Sequence, residues 1–284
     1  MKGLIFVKRY FFSDLHGDKE LFDKILNFID DNNDEVQLYF LGDAADRGVD
    51  GYHIMKTMLN NPETFIYIKG NHEDMFVAAA REYLQICEEE GYTPTEFAKR
   101  WEYNVHDIMY CGMDMRLHAM NGGAPTFLSW LMDGCPRKII NTLDSLPLHW
   151  RISMEEAGEE KVIYDLCHAG CLVEEWVNKD RDARLWDRNH FFQPWTHKDL
   201  EDEPQHILVH GHTAVRSLPN FLLKQANSKM TTWKPVLYNE GTKLDLDTRT
   251  VETGVITLVE LRTHNMVHFA KESSPYNAII KSLN

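Results

Sequence analysis

Within its first seventy residues the sequence switches hydrophobic period four times, and this rhythm limits the fold more than any other feature. An apolar, β-rich stretch at Leu4–Phe12 has strand character. Leu21, Phe22, Ile25, Leu26 and Ile29 then recur at helical spacing, which predicts an amphipathic helix over about 19–31. A second strand is predicted at Val36–Leu41, a second helix through Tyr52, Met55, Met58 and Leu59, and a third strand at Thr64–Ile68. A β-α-β-α-β succession implies parallel strands joined by crossover helices. In such sheets ligands collect beyond the carboxyl ends of the strands.

Each predicted strand runs into a cluster of polar residues at that end. The first meets Asp14-Leu-His16-Gly17, the second Gly42-Asp43-Ala-Ala-Asp46-Arg47-Gly48, and the third Gly70-Asn71-His72-Glu73. Two later strands, Lys161–Cys167 and His206–Val209, end at His168 and at Gly211-His212-Thr213. Taken singly, these residues have ordinary readings. Asp residues at a helix start cap amides, Gly-Asn-His suits a turn, and a histidine after a strand is commonly an interior hydrogen-bonding group. Together they form a ligand set for two divalent cations. Asp14, His16 and Asp43 would hold one, and Asp43, as the bridge, with Asn71, His168 and His212 the other. Mixed oxygen and imidazole donors suit Mn²⁺, Fe or Zn²⁺ better than Mg²⁺ or Ca²⁺. The guanidinium of Arg47 beside such a pair matches a phosphate group, and His72 is a candidate acid. His210 is read as a strand residue behind the site.

Residues 74–150 change character and read as a helical insertion, whose Tyr, Trp and Met residues are assigned to the core. Strand patterns at Val236–Tyr238, Lys243–Asp247, Gly254–Leu261 and Met266–Ala270 suggest an antiparallel run in the tail. An extended loop is expected at about 215–243, where Arg216, Lys224, Lys229, Lys234 and Lys243 face only Glu240. That segment is either a solvated loop or a basic patch drawing an acidic substrate to the site. The chain, 1–284, is read as a single α/β domain of two packed sheets with helices outside.

A net charge of −14 over 284 residues argues against a DNA- or RNA-tracking surface. It does not argue against a phosphorylated substrate, since bound cations reverse the local field. Five cysteines without a CxxC pattern suggest reduced thiols. Lys8 and Arg9 interrupt the apolar N-terminus, and no segment approaches the length of a membrane span. A cytoplasmic location and no membrane partner are the expectation; oligomeric state is not read.

The motifs Asp-Leu-His-Gly, Gly-Asp-x-x-Asp-Arg-Gly, Gly-Asn-His-Glu and Gly-His-Thr resemble those of the metallophosphoesterases. Within them the chain is similar to the serine/threonine phosphoprotein phosphatases, above all the short bacterial and bacteriophage members typified by the lambda phage phosphatase. Weaker echoes are Asn121-Gly122-Gly123, Cys167-His168-Ala169, Trp186-Asp187-Arg188 and Leu244-Asp-Leu-Asp-Thr248. The resemblance implies a metallophosphatase-type β-sandwich of two mixed sheets flanked by helices, in α/β/β/α layers. It further implies two metal ions, with Mn²⁺ as first choice, and in-line attack on phosphorus by a metal-bound hydroxide. Arg47, Arg188 and Asn71 would hold the phosphoryl oxygens, while His72, oriented by Asp46, protonates the leaving group. Ser13, Ala169 and Ala214 depart from the family pattern without removing a ligand. The expected substrate is a phosphoprotein; the alternative is a small phosphoester such as a dinucleoside polyphosphate. Retention of Asp46 in Asp-Arg-Gly favours the first.

Overall fold

The computed structural model describes residues 7–32, 35–155, 161–193, 195, 205–219, 221–222 and 233–283. The opening rhythm is realised as β1 (Val7–Phe12), α1 (Lys19–Asp31), β2 (Glu35–Phe40), α2 (Gly51–Asn60) and β3 (Phe65–Tyr67). β1 and β2 pair in parallel from Val7 opposite Glu35 to Phe12 opposite Phe40, and β3 adds to β2 in parallel. Asp18 caps α1 by accepting from the Leu21 amide at 3.2 Å, and the helix buries Leu21, Phe22 and Ile25 against the sheet.

Alternation along β1 sets the layer order. Tyr10 and Phe12 point into a core shared with the helices, while Phe11 between them points into a second core. That second core is completed by Ile152, Tyr164, Leu166, Ile207, Val209 and Leu244 from another sheet. The sheets are therefore stacked, each burying one face against the other. The first has the order β10-β9-β1-β2-β3 and the second β4-β5-β6-β8-β7. Here β4 is His149–Met154, β5 Val162–Cys167, β6 Gln205–His210, β7 Val236–Tyr238, β8 Lys243–Asp245, β9 Val255–Glu260 and β10 Met266–Ala270. Helices α3 (Asn71–Glu89), α4 (Pro94–Arg100), α5 (Val105–Met109), α6 (Met113–Met120), α7 (Ala124–Met132) and α8 (Arg137–Asp144) contribute to the outer core of the first sheet. Two short helices, α9 (Val173–Val177) and α10 (Arg181–Trp186), lie beyond the second. The architecture is the expected α/β sandwich of two mixed sheets flanked by helices.

Three details differ from the sequence reading. Strand β4 was not foreseen: it is an edge strand with most residues exposed, so it lacks a buried alternation. The tail is not one antiparallel run. β7 and β8 are antiparallel to each other, but β8 runs parallel to β6; β9 and β10 return to the first sheet, with β9 antiparallel to β1. In the insertion, Trp130, Met109 and Met115 are core, whereas Tyr110, Met113 and Met120 are exposed. No helix among the described residues is long and apolar enough to cross a membrane.

Candidate active site

The loops after β1, β2 and β3 are laced together by their own backbones. Asp14 N donates to Gly42 O at 3.0 Å, His16 N to Asp43 O at 2.9 Å, and Gly48 N to His16 O at 3.0 Å. The buried Glu73 carboxylate locks the other side. Its Oε2 accepts from the amides of Asp43 and Gly70, and its Oε1 from those of Ala44 and Ala45, at 2.8–3.2 Å. Gly42 cannot carry a side chain, because a Cβ there would lie 2.5 Å from Gly70 backbone atoms. Six of the ten predicted site residues (Asp14, His16, Asp43, Asp46, Arg47 and His212) have positive φ, between +46° and +70°. Such backbone is costly for residues with a Cβ, and its concentration here marks a functional edge.

Asp43 stands at the centre. His168 Nε2 lies 3.2 Å from Asp43 Oδ1, while His16 Nε2 and His72 Nε2 lie 3.7 and 3.8 Å from Oδ2. Asn71 Oδ1 is 2.9 Å from His168 Nε2 and 3.0 Å from His212 Nδ1. Both Asp14 oxygens accept from the His212 amide at 3.2 Å, and Asp14 Oδ1 lies 3.9 Å from His16 Nε2. Among the described residues, two groups of donors are compact enough to hold an ion: His16, Asp43 and His72, and Asp43, His168 and His212. Asp43 belongs to both. The sequence reading groups Asp14 with His16 and Asp43; Asp14 Oδ1 stands 3.9 Å from His16 Nε2, and His72 is the third member of the compact group.

The donor set fits divalent cations. His168 Nδ1 donates to Leu41 O at 2.7 Å and His16 Nδ1 faces Ala45 O at 3.2 Å, so backbone carbonyls orient both rings with Nε2 toward Asp43. His212 Nε2 is buried with no hydrogen-bond partner. Burial pushes His16 down to about 3 and His212 down to about 2, which favours the neutral imidazoles that metal ligation requires; burial also opposes a proton on His168, but Asp43 outweighs it and raises His168 to about 10. Burial opposes the charge on Asp43, but His168 and His72 outweigh it and hold Asp43 well below the carboxylate range. Asp14 is held well above that range by burial and Asp247, and Asp247 is raised to about 7 by burial and Asp43. Buried carboxylates crowded against other carboxylates in this way are the environment a cation relieves.

Next to this cluster is a relay. His72 Nδ1 is 2.8 Å from Asp46 Oδ2. Asp46 is fully buried, and His118 Nε2 lies 2.9 and 3.0 Å from its two oxygens. Burial disfavours ionised Asp46, yet His118 and His72 lower it to about 2. Arg47 Nη1 is 2.8 Å from His16 Nε2, Nη2 is 3.1 Å from His72 Nε2, and its amide donates to Gly122 O. Arg188 follows α10, and its Nη1 donates to Thr213 Oγ1 at 2.7 Å. A cleft of about 400 Å³ is lined by His16, Arg47, Arg188 and His212, and also by Asp247, Arg249 and Glu252. His118, Asp247 and Arg249 were given no role from sequence. A lone histidine on α6 carries no local signal, although its position just before Asn121-Gly122-Gly123 tied it to a noted motif.

The basic-segment expectation takes a different form. Lys224 and Lys229 lie outside the described residues. Lys243 is buried on β8, where its ammonium donates to His190 O and burial pushes it down to about 7. Arg216 pairs with Glu252 at 2.9 Å. His210 is buried with Nδ1 near Gly211 O and Nε2 2.9 Å from Tyr238 Oη, as a strand residue behind the site.

The sequence model of the calcineurin-like phosphoesterases matches residues 7–217, and the chain belongs to that family. The family depends on a dinuclear metal centre, and the His and Asp groups around Asp43 are suited to one. No curated protein matches the sequence. Among solved structures, a protein designated a diadenosine tetraphosphatase is 13% identical, with 96% of this chain and 97% of that one covered and a TM-score of 0.52. The cold-active protein-tyrosine phosphatase of a psychrophilic Shewanella species is 13% identical, with 93% and 78% covered and a TM-score of 0.51. Likeness at this identity speaks to fold alone.

Proposed function

We propose that the protein is a serine/threonine phosphoprotein phosphatase working through two divalent cations, Mn²⁺ by preference. The observation that carries this reading is the His72–Asp46 pair, 2.8 Å apart, beside Asp43 and at a cleft lined by Arg47 and Arg188. Asp14, His16 and Asp43 would hold one cation, and Asp43, Asn71, His168 and His212 the other. When bound, the cations neutralise phosphoryl charge and lower the pKa of water toward about 7. Arg47 and Arg188 then hold phosphoryl oxygens as charge spreads onto them. His72 serves as acid to the leaving alkoxide; burial works against its proton, but Asp43 and Asp46 outweigh burial and raise its pKa. Asp46, itself fixed by His118, keeps the ring's Nδ1 occupied. The free thiols of all five cysteines support the reading of a reducing, cytoplasmic compartment.

The test is an Mn²⁺-dependent rate comparison on a phosphoserine peptide, p-nitrophenyl phosphate and diadenosine tetraphosphate. The expected order puts kcat/KM for the peptide at least tenfold above the dinucleotide. The reverse order would replace the substrate class, and no Mn²⁺-dependent hydrolysis of any of the three would remove the phosphatase reading.

A further inference from the structure

The cleft has an end that the phosphate-gripping residues do not account for. Beyond Arg188 and His212 it is lined by Arg249 and Glu252, from the turn that follows β8. Arg249 has φ +54°, backbone that glycine adopts without strain and arginine does not. Its amide donates to Asp247 Oδ1 at 2.7 Å, which fixes the turn and sets its side chain at the cleft. Glu252 receives two guanidiniums: Arg216 Nη1 on Oε2 at 2.9 Å, and Arg249 Nη2 on Oε1. Two guanidiniums share this one carboxylate, with Asp247 the other acidic group on the cleft lining, in a chain of net charge −14. The side chains of Arg216, Arg249 and Glu252 are 30–47% exposed, so an incoming anion can reach them.

We propose that Arg249, backed by Arg216, forms a subsite for a second anionic group of the substrate, beyond the phosphate that is cleaved. The proposal rests on the phosphatase reading and narrows its substrates to those with a second negative charge near the scissile ester. The shared chemistry is a carboxylate or phosphate oxygen pair, which a guanidinium binds in bidentate fashion. Its source is an acidic side chain flanking the phosphoresidue, or a second phosphate. Glu252 occupies the guanidiniums with the same chemistry, and a substrate anion displaces it.

Arg249→Gly is therefore the decisive variant. It deletes the guanidinium and places at φ +54° the residue that suits it, so the melting temperature should not fall. Substrates are a phosphoserine peptide with aspartates on both sides, the same peptide with alanines, ADP, and p-nitrophenyl phosphate as the single-anion reference. In the native chain kcat/KM for the acidic peptide or for ADP, relative to its single-anion counterpart, is expected to be at least tenfold higher than in Arg249→Gly. Glu252→Gln, which frees both guanidiniums, should move the ratio several-fold the other way. A response confined to the peptide identifies a carboxylate as the second anion, and one confined to ADP identifies a phosphate. Ratios that Arg249→Gly leaves unchanged, or a Glu252→Gln ratio that falls, would overturn the subsite. A readout independent of turnover is calorimetric binding of inorganic pyrophosphate against inorganic phosphate to the metal-free chain. The native chain should prefer pyrophosphate at least fivefold and Arg249→Gly should not; equal preference in both rejects the subsite even where no substrate is turned over. Absence of hydrolysis with the pyrophosphate preference intact would instead fault the phosphatase reading alone.

Discussion

The two sheets build their halves of the site in different ways. The first contributes Asp14, His16, Asp43, Asp46, Arg47, Asn71 and His72 from three loops within sixty residues. Those loops hydrogen-bond to one another through their backbones and around Glu73. The second contributes His168, Arg188, His212, Asp247 and Arg249, spread over eighty residues and set on β5, β6, β8 and the segments after them. Its connections to the first half run through side chains, among them His168 to Leu41 O and to Asp43, His168 and His212 to Asn71, and the His212 amide to Asp14. One half is a self-supporting cage, and the other docks onto it. Asp43 is where they meet, since it belongs to both compact donor groups.

That contrast makes a sharp prediction at Asp43. Asp43→Asn should lower kcat by at least about a thousandfold, because a bridging charge is lost where charge stabilisation is the main catalytic term. Cation content by elemental analysis should fall by more than one per chain. His212→Asn, which removes a ligand from the docking half alone, should leave one cation bound. If the two variants lose cations equally, the halves are not separable and the comparison breaks.

A smaller effect is expected inside the cage. His72→Asn should cost about a hundredfold on alkyl phosphoesters and much less on p-nitrophenyl phosphate, whose leaving group needs no proton. Equal losses on both substrates would take the acid role from His72. His118→Ala should act in the same direction but by about tenfold, since Asp46 would keep His72 yet lose the contact that fixes its carboxylate. It should also destabilise the fold by about 2 kcal/mol, from the cavity and the lost charged hydrogen bond. Asn at 118, which restores a donor, should recover part of the leaving-group dependence. If it recovers only the stability, His118 is structural.

The difference between the halves also explains what could be read from sequence. In the first half, strand, turn and helix signals are local, and each motif follows directly on the strand that aims it. Asp14 through His72 could therefore be placed on one edge before any tertiary contact was known. The second sheet depends on pairings between distant segments: β8 lies parallel to β6 and the exposed β4 leads the sheet, neither of which leaves a periodic trace. Hence the tail was read as a single antiparallel run, and Lys243 as a surface charge. His118 escaped for a related reason. Its partner is 72 residues away, and a helix does not announce a buried hydrogen bond across that distance.

The last and smallest contrast is in pH dependence, to which buried histidines of both halves contribute: His16 in the cage, and His190 and His210 in the docking half. His190 and His210 pack edge to face there, with ring centroids 4.6 Å apart, and burial holds His190 well below its ordinary pKa and His210 at about 3. Both groups bind a proton more readily when unfolded, near pH 6.5, so their contribution is present above that pH and is lost as pH falls below it. Between pH 7.5 and 5.5 each should account for a loss of about 1 kcal/mol, read as the difference between the urea-denaturation pH profiles of the native chain and of His190→Gln or His210→Gln in chelator. Lys243 works in the alkaline range. Its folded pKa of about 7 lies below the unfolded value of 10.5, so the unfolded state binds more protons and stability rises as pH climbs between them. From pH 7.5 to 9 the native chain should gain about 1–2 kcal/mol, and Lys243→Met, which keeps the aliphatic stem without the amine, should flatten that rise. A rise that persists in Lys243→Met would trace the alkaline dependence to another group and leave the buried amine without the cost assigned to it.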